Sequence, residues 1–216
     1  EAESNLRTYF VVDSSSSMHL PSPDSKWTTL VQLLTLIGTI LQKQRDGMGM
    51  LEINETGSHF FESKATSEWI KLMLSHLSKK EGESKKNANI AFEIEALMSK
   101  IPRRSQVILF IDLFQENLEE ILDAAALLAF EGHSVRCIFV SHAKLELNEE
   151  YFAGKQVVDS ETGAKAYINQ NDAKRYVSFV EAQKECAITL SRNLNLNCKV
   201  IDASREPMYL LRELLA

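Results

Sequence analysis

The sequence predicts an α/β fold: a doubly wound, mostly parallel six-stranded sheet with helices on both faces, in strand order 3-2-1-4-5-6. Three observations carry this. Short apolar runs alternate with helical periodicity along nearly all of the 216 residues. Val107-Ile108-Leu109-Phe110-Ile111 is continuously apolar, as a central parallel strand buried on both faces must be. Two apolar runs, the one through Phe10-Val11-Val12 and the one through Phe110-Ile111, each stop at an aspartate, Asp13 and Asp112. In that strand order the first and fourth strands are neighbours at the point where the order reverses. The two aspartates therefore meet at the carboxyl end of the sheet, where doubly wound folds bind their ligands.

The elements follow in order. Residues 8–12 form the first strand, and a serine-rich loop leads to a turn at residues 21–25 with helix-capping residues. Trp27, Leu30, Val31, Leu34, Ile37, Ile40 and Leu41 recur at helical spacing, with Leu33 and Leu36 widening the apolar face; this predicts a largely buried helix closed by Asp46-Gly47. Strands follow at 48–53 and 58–61 around Glu55-Thr56-Gly57. Ser67 is placed to cap a helix carrying Trp69, Ile70, Met73, Leu74 and Leu77. Residues 79–87 read as a polar loop, and Ile90, Ile94, Leu97 and Met98 as one side of a short helix stopped by Pro102. The fourth strand, 105–111, precedes an Ala-rich helix at 118–130 closed by Gly132, then a strand at 135–140. Periodicity fades over 145–168, where Asp159-Ser160-Glu161-Thr162-Gly163 reads as a hairpin turn. A long helix over 172–193, a strand at 198–201 and a helix at 207–215 complete the pattern. Residues 1–216 read as one domain with an irregular hairpin insertion at about 143–170, excised from a longer protein, since the sequence begins without Met and close to its first strand.

Bulk composition narrows the function. Net charge is −6, and no basic block offers a surface to nucleic acid. Cys137, Cys186 and Cys198 are odd in number and form no CxxC pair, which predicts reduced thiols in a cytoplasmic setting. The most apolar stretch, 30–41, is too short and too interrupted by Gln32, Thr35, Gly38 and Thr39 to span a bilayer, so this segment is expected to make no membrane contact. A membrane anchor upstream of it is compatible with the sequence.

The chemistry concentrates after the first strand. Asp13 stands at the strand tip, with Ser15 and Ser17 two and four residues on. Alternate residues of such a loop can face one hard cation. Mg²⁺ takes oxygen ligands, keeps some water, and is held by one or two carboxylates. On its own, Asp-x-Ser-x-Ser reads more readily as a capped turn; the second strand-end aspartate, Asp112, shifts the balance toward a metal. There is no G-x-x-x-x-G-K-[ST] and no G-x-G-x-x-G loop. His19 lacks a nucleophile elbow around it, and His59, His76, His133 and His142 show no metal-ligand spacing. Glu93 and Glu95 read as exposed helix residues.

With these residues in place, the chain resembles von Willebrand factor A (vWA) domains, whose metal-ion-dependent adhesion site begins D-x-S-x-S, here Asp13-Ser14-Ser15-Ser16-Ser17. It is most similar to the bacterial domain of unknown function 58 family, associated with MoxR-type AAA+ ATPases. The likeness runs through residues 9–18, Ser25-Lys26, Arg45-Asp46-Gly47-Met48-Gly49, Arg103-Arg104, Glu131-Gly132-His133-Ser134-Val135 and 159–163. It implies a non-enzymatic protein-interaction module. Mg²⁺ or Mn²⁺ would rest on Asp13, Ser15, Ser17 and Asp112, a partner carboxylate would complete its shell, and the partner would be an AAA+ ATPase or its substrate. Two positions depart from the family. The loop threonine is replaced at Ala88, leaving Asn87 or Asn89 as substitute ligands, and Ser141-His142-Ala143-Lys144 stands where relatives show Asp-Pro-x-Glu. Two alternatives therefore stay open: the same scaffold with a degenerate site binding partners without metal, and a Mg²⁺-dependent phosphohydrolase.

Overall fold

The structure, a computed structural model, describes residues 6–20, 23–54, 57–77, 89–158 and 165–215. Eight strands form among them: β1 (Arg7–Asp13), β2 (Gly47–Asn54), β3 (Gly57–Lys64), β4 (Gln106–Asp112), β5 (Ser134–Ser141), β6 (Lys155–Val158), β7 (Lys165–Ile168) and β8 (Asn197–Asp202). The helices are α1 (Lys26–Gln44), α2 (Ser67–Leu77), α3 (Ile90–Leu97), α4 (Leu118–Phe130), α5 (Ala143–Glu146), α6 (Glu149–Phe152), α7 (Gln170–Asn193) and α8 (Pro207–Leu215).

Six strands make the main sheet in the order β3-β2-β1-β4-β5-β8. This is the expected order, with β8 as the sixth strand. β1 lies in parallel register between β2 and β4, and only β3 runs antiparallel, against β2. β6 and β7 pair as a separate antiparallel hairpin, as the fading periodicity suggests; their predicted turn at 159–163 and the predicted loop at 79–87 lie outside the described residues.

Burial on both faces explains why β1 is apolar from Tyr9 to Val12 and β4 from Val107 to Ile111. Tyr9, Val11, Leu109 and Ile111 face one core, against Ile94 and Leu97 of α3, Leu122 and Leu128 of α4 and Ala187 of α7. Phe10, Val12 and Phe110 face the other, against Leu30, Leu33 and Leu34 of α1, Met73 of α2 and Leu210 and Leu214 of α8. Each large apolar side chain so buried stabilises the fold by about 1.5–3 kcal/mol. Among the described residues no helix is long and apolar enough to cross a membrane.

Several local expectations change. α1 is capped by Ser25, whose hydroxyl accepts from Thr28 N, but Asp46-Gly47 does not end it. Arg45 takes the left-handed conformation at φ 60° instead, and Gly47 already belongs to β2. Ser67 is the first helical residue of α2, and its hydroxyl donates to Glu68. α5 and α6 are too short to show periodicity in the sequence. His59 and His76, far apart in the chain, stack with ring centroids 4.7 Å apart, and His76 Nε2 lies 2.7 Å from Glu52 Oε2, because β2–β3 register sets Glu52 opposite His59.

The glycines of β2 have a packing cause. A Cβ on Gly49 would sit 2.5 Å from the Tyr9 ring and 3.0 Å from the Phe61 carbonyl, whereas one on Gly47 would meet the rotatable Ser63 hydroxyl. Gly49→Ala is therefore expected to destabilise by about 1–3 kcal/mol in urea unfolding, and Gly47→Ala by clearly less. A second expectation concerns Cys137, which is fully buried opposite Cys198 in β5–β8 register. Burial pushes its thiol up to about 12. At pH 8 a thiol reagent should label the exposed Cys186 and spare Cys137 until urea is added. The folded chain holds a proton that the unfolded thiol releases above its ordinary value near 9.0. Stability from this group is thus complete below pH ~9 and declines as pH rises toward 12, and Cys137→Ala should flatten that part of an alkaline unfolding series.

Candidate functional site

β1 and β4 end side by side, with Val12 in register with Phe110. Asp13 follows Val12 directly and Asp112 stands two residues beyond Phe110, close enough that the Asp112 backbone N–H donates to Asp13 Oδ2 at 3.1 Å. Both are almost wholly buried. Beyond β1 the chain enters a short 3₁₀ turn, Ser16–His19. Ser14 turns toward β2, bonding the Ile53 carbonyl, and Met18 is buried in the core below. These two anchors leave Ser15 and Ser17 facing the crevice. Ser15 N–H donates to Asp13 Oδ1 at 2.9 Å, the two hydroxyl oxygens lie 3.2 Å apart, and Ser17 donates to Asp112 Oδ2 at 2.6 Å.

The electrostatics of the two carboxylates differ. Asp13 accepts from neutral donors: the Ser15 and Asp112 backbones and Gln115 Nε2 at 2.6 Å. Burial, and then the neighbouring Asp112 charge, hold its pKa above the usual carboxylate range, with the hydrogen bonds only partly opposing them. Asp112 meets a cation. Lys26, first residue of α1 and 3% exposed, sets its ammonium 2.9 Å from both Asp112 oxygens and 2.8 Å from Glu146 Oε1. Burial alone would lower the Lys26 pKa, but Asp112 and Glu146 reverse that and leave it raised. Glu146, at the end of α5, is fixed in turn by His142 N–H, which donates to its Oε2 at 2.8 Å.

An aromatic wall adjoins this acidic floor. Phe114 follows Asp112 closely, and its ring centroid lies 5.6 Å from the Lys26 ammonium. Phe114 stacks on Tyr176 and Phe179, and Phe152 meets Tyr176 edge-on. Burial, with Glu146 and Asp112 nearby, pushes the Tyr176 hydroxyl up to about 12. Phe179 and Tyr151 are more than two-fifths exposed, so the wall opens to solvent.

Asp13, Ser15, Ser17 and Asp112 are thus brought to one point. Asn89 caps α3, its side-chain oxygen accepting from Phe92 N–H at 3.1 Å. Asn87 and Ala88 lie outside the described residues. Lys26, Gln115 and Glu146 were not anticipated as site residues. Ser25-Lys26 carried only a family likeness, and Glu146 sits in a segment without periodicity, two residues beyond the Ser141-His142-Ala143-Lys144 stretch that replaces the family's Asp-Pro-x-Glu.

The donor set fits a hard divalent ion at Asp13, Ser15 and Ser17. A separation of 3.2 Å between the two hydroxyl oxygens suits adjacent ligands of an octahedron, whose edges are about 3 Å for Mg–O bonds of about 2.1 Å. Asp13 is a buried carboxylate held by neutral donors, an arrangement that a cation would relieve. Asp112 does not fit as a direct ligand, because its oxygens already accept from Lys26, Ser17 and Phe114 N–H. Among the described residues no three His, Cys, Asp or Glu side chains gather as for a metal held by those groups alone.

No match was found among curated proteins. Similar folds occur in the conserved hypothetical protein BatB from Bacteroides thetaiotaomicron (TM-score 0.61, 13% identity, covering 97% of each chain). They occur also in the SpRpn10 VWA domain (TM-score 0.54, 12% identity, covering 97% of this chain and 94% of that one). A third is the manganese-loaded Plasmodium vivax TRAP protein (TM-score 0.51, 17% identity, covering 84% and 74%). At these identities the likeness is one of fold. The family model described as Protein of unknown function DUF58 matches residues 1–187. With that match and the vWA-like sheet order, the chain belongs to the DUF58 family.

Proposed function

We propose that this chain is a non-enzymatic protein-interaction module that takes an acidic side chain of its partner at the carboxyl end of β1 and β4. The observation that carries this reading is the convergence of Asp13, Ser15 and Ser17 at the end of β1, with the two half-buried hydroxyls 3.2 Å apart. A bound Mg²⁺ or Mn²⁺ would supply the positive charge that attracts a carboxylate. Asp13 provides the negative charge for it, Ser15 and Ser17 provide neutral oxygens, and Asp112 orients Ser17 through the 2.6 Å hydrogen bond. Few anionic ligands leave such an ion electrophilic, which suits capture of an outside carboxylate. The manganese held by the TRAP neighbour supports the choice of ion. The aromatic wall from Phe114 to Phe179 suits an apolar residue flanking the partner's acid. The partner is an AAA+ ATPase of the MoxR type or a substrate of it, and the free thiols fit a cytoplasmic setting.

One observation favours a second reading, in which the partner binds without metal: Lys26 already neutralises Asp112. Phosphoester hydrolysis has less support, since Glu146 and Asp112 are both engaged by Lys26 and do not present a second metal position.

Calorimetric titration separates the first two readings. Mn²⁺ and Mg²⁺ are expected to bind at micromolar to millimolar levels, and Asp13→Ala or a Ser15→Ala/Ser17→Ala double variant to lose the heat. Binding to a purified MoxR-type ATPase from the same source should fall by at least tenfold in EDTA. Undiminished binding in EDTA would establish the metal-independent reading instead.

A further inference from the structure

We infer that Lys26 is a tethered cation that sets how strongly the crevice takes a divalent ion, by holding Asp112 out of the metal's direct ligand set and by sharing its charge with Glu146. The inference rests on the reading of Asp13, Ser15 and Ser17 as a metal site and adds a regulator of it.

The geometry is specific. An ammonium has three N–H donors, and the Lys26 ammonium faces three carboxylate oxygens, two on Asp112 at 2.9 Å and one on Glu146 at 2.8 Å. Asp112 Oδ1 accepts from Lys26 and Phe114 N–H, and Oδ2 from Lys26 and Ser17. A carboxylate offers about four acceptor positions, so none is left for a metal. Lys26 is 3% exposed, and the Phe114 ring covers it at 5.6 Å, which restrains it from swinging to solvent. Lys26 begins α1 immediately after the Ser25 cap, so the helix start fixes its position relative to the loop carrying Ser15 and Ser17.

Charge makes the consequence directional. Asp13, Asp112 and Glu146 bring three negative charges and Lys26 one positive charge, leaving a deficit that one divalent ion would fill. Removing the ammonium frees Asp112 and deepens the negative potential, so metal affinity should rise. Removing the Glu146 charge leaves Lys26 wholly to Asp112, so affinity should fall. A lysine that merely supported the fold would give losses in both variants.

The test is Mn²⁺ titration of wild-type, Lys26→Met and Glu146→Gln proteins by calorimetry, with thermal melts in EDTA and in Mn²⁺. Expected are affinity raised by ~10–100-fold in Lys26→Met and lowered several-fold in Glu146→Gln. Lys26→Met should also melt lower than wild type in EDTA and recover more in Mn²⁺ than wild type gains. Equal or weaker Mn²⁺ binding by Lys26→Met overturns the inference and leaves the metal site standing. Binding by Lys26→Met alone, with wild type silent, upholds the inference and overturns metal dependence of the natural protein. Silence in all three overturns both. Should Lys26→Met fail to fold even with Mn²⁺, Lys26→Gln takes its place: tighter Mn²⁺ binding than wild type supports the inference, and equal or weaker binding overturns it.

Discussion

Two buried carboxylates meet where β1 and β4 end, and the structure around them supplies the donors and positive charge that such a pair requires. Isolated burial of one ionised carboxylate already carries a penalty of several kcal/mol, and two side by side add mutual repulsion. Asp112 is compensated within the chain by Lys26 and Ser17. Asp13 is compensated only by neutral donors, and its proton affinity is raised accordingly. The asymmetry leaves the Asp112 side compensated within the chain, and the Asp13 side is the one at which we propose a cation. It also explains why α1 must begin where it does: the Ser25 cap fixes the helix start, and the helix start places Lys26.

Much of this architecture was legible in the sequence, for physical reasons. A parallel strand buried on both faces has no polar face, so β1 and β4 appear as unbroken apolar runs ending in aspartates. Their adjacency follows from strand order, which the alternation of strand and helix signals constrains tightly. The pairing of Asp13 with Asp112 needed nothing further. Lys26 was less visible, because a lysine after a capping serine is ordinarily a solvated first-turn residue; only tertiary placement beside Asp112 and Glu146 buries it. Glu146 left no signal at all, since α5 has four residues and no periodicity to locate it. Asn89 was legible as a helix cap, and its side-chain oxygen does accept from Phe92 N–H.

The aromatic wall adds shape to what would otherwise be a purely ionic site. Phe114 belongs to both features: its ring packs over Lys26 and stacks on Tyr176 and Phe179. Contact of a partner with the wall would thus be felt at the ammonium, and through it at Asp112. α6, in the inserted segment, brings Tyr151 and Phe152 to the same side, with Phe152 edge-on against Tyr176.

Anomalous diffraction from crystals grown in Mn²⁺ addresses the central claim most directly. The account predicts a manganese peak against the Ser15 and Ser17 hydroxyls on the Asp13 side, with the Lys26 ammonium still bridging Asp112 and Glu146. A peak bound directly by Asp112 with Lys26 displaced, or an absence of any peak in the crevice at saturating Mn²⁺, would contradict it.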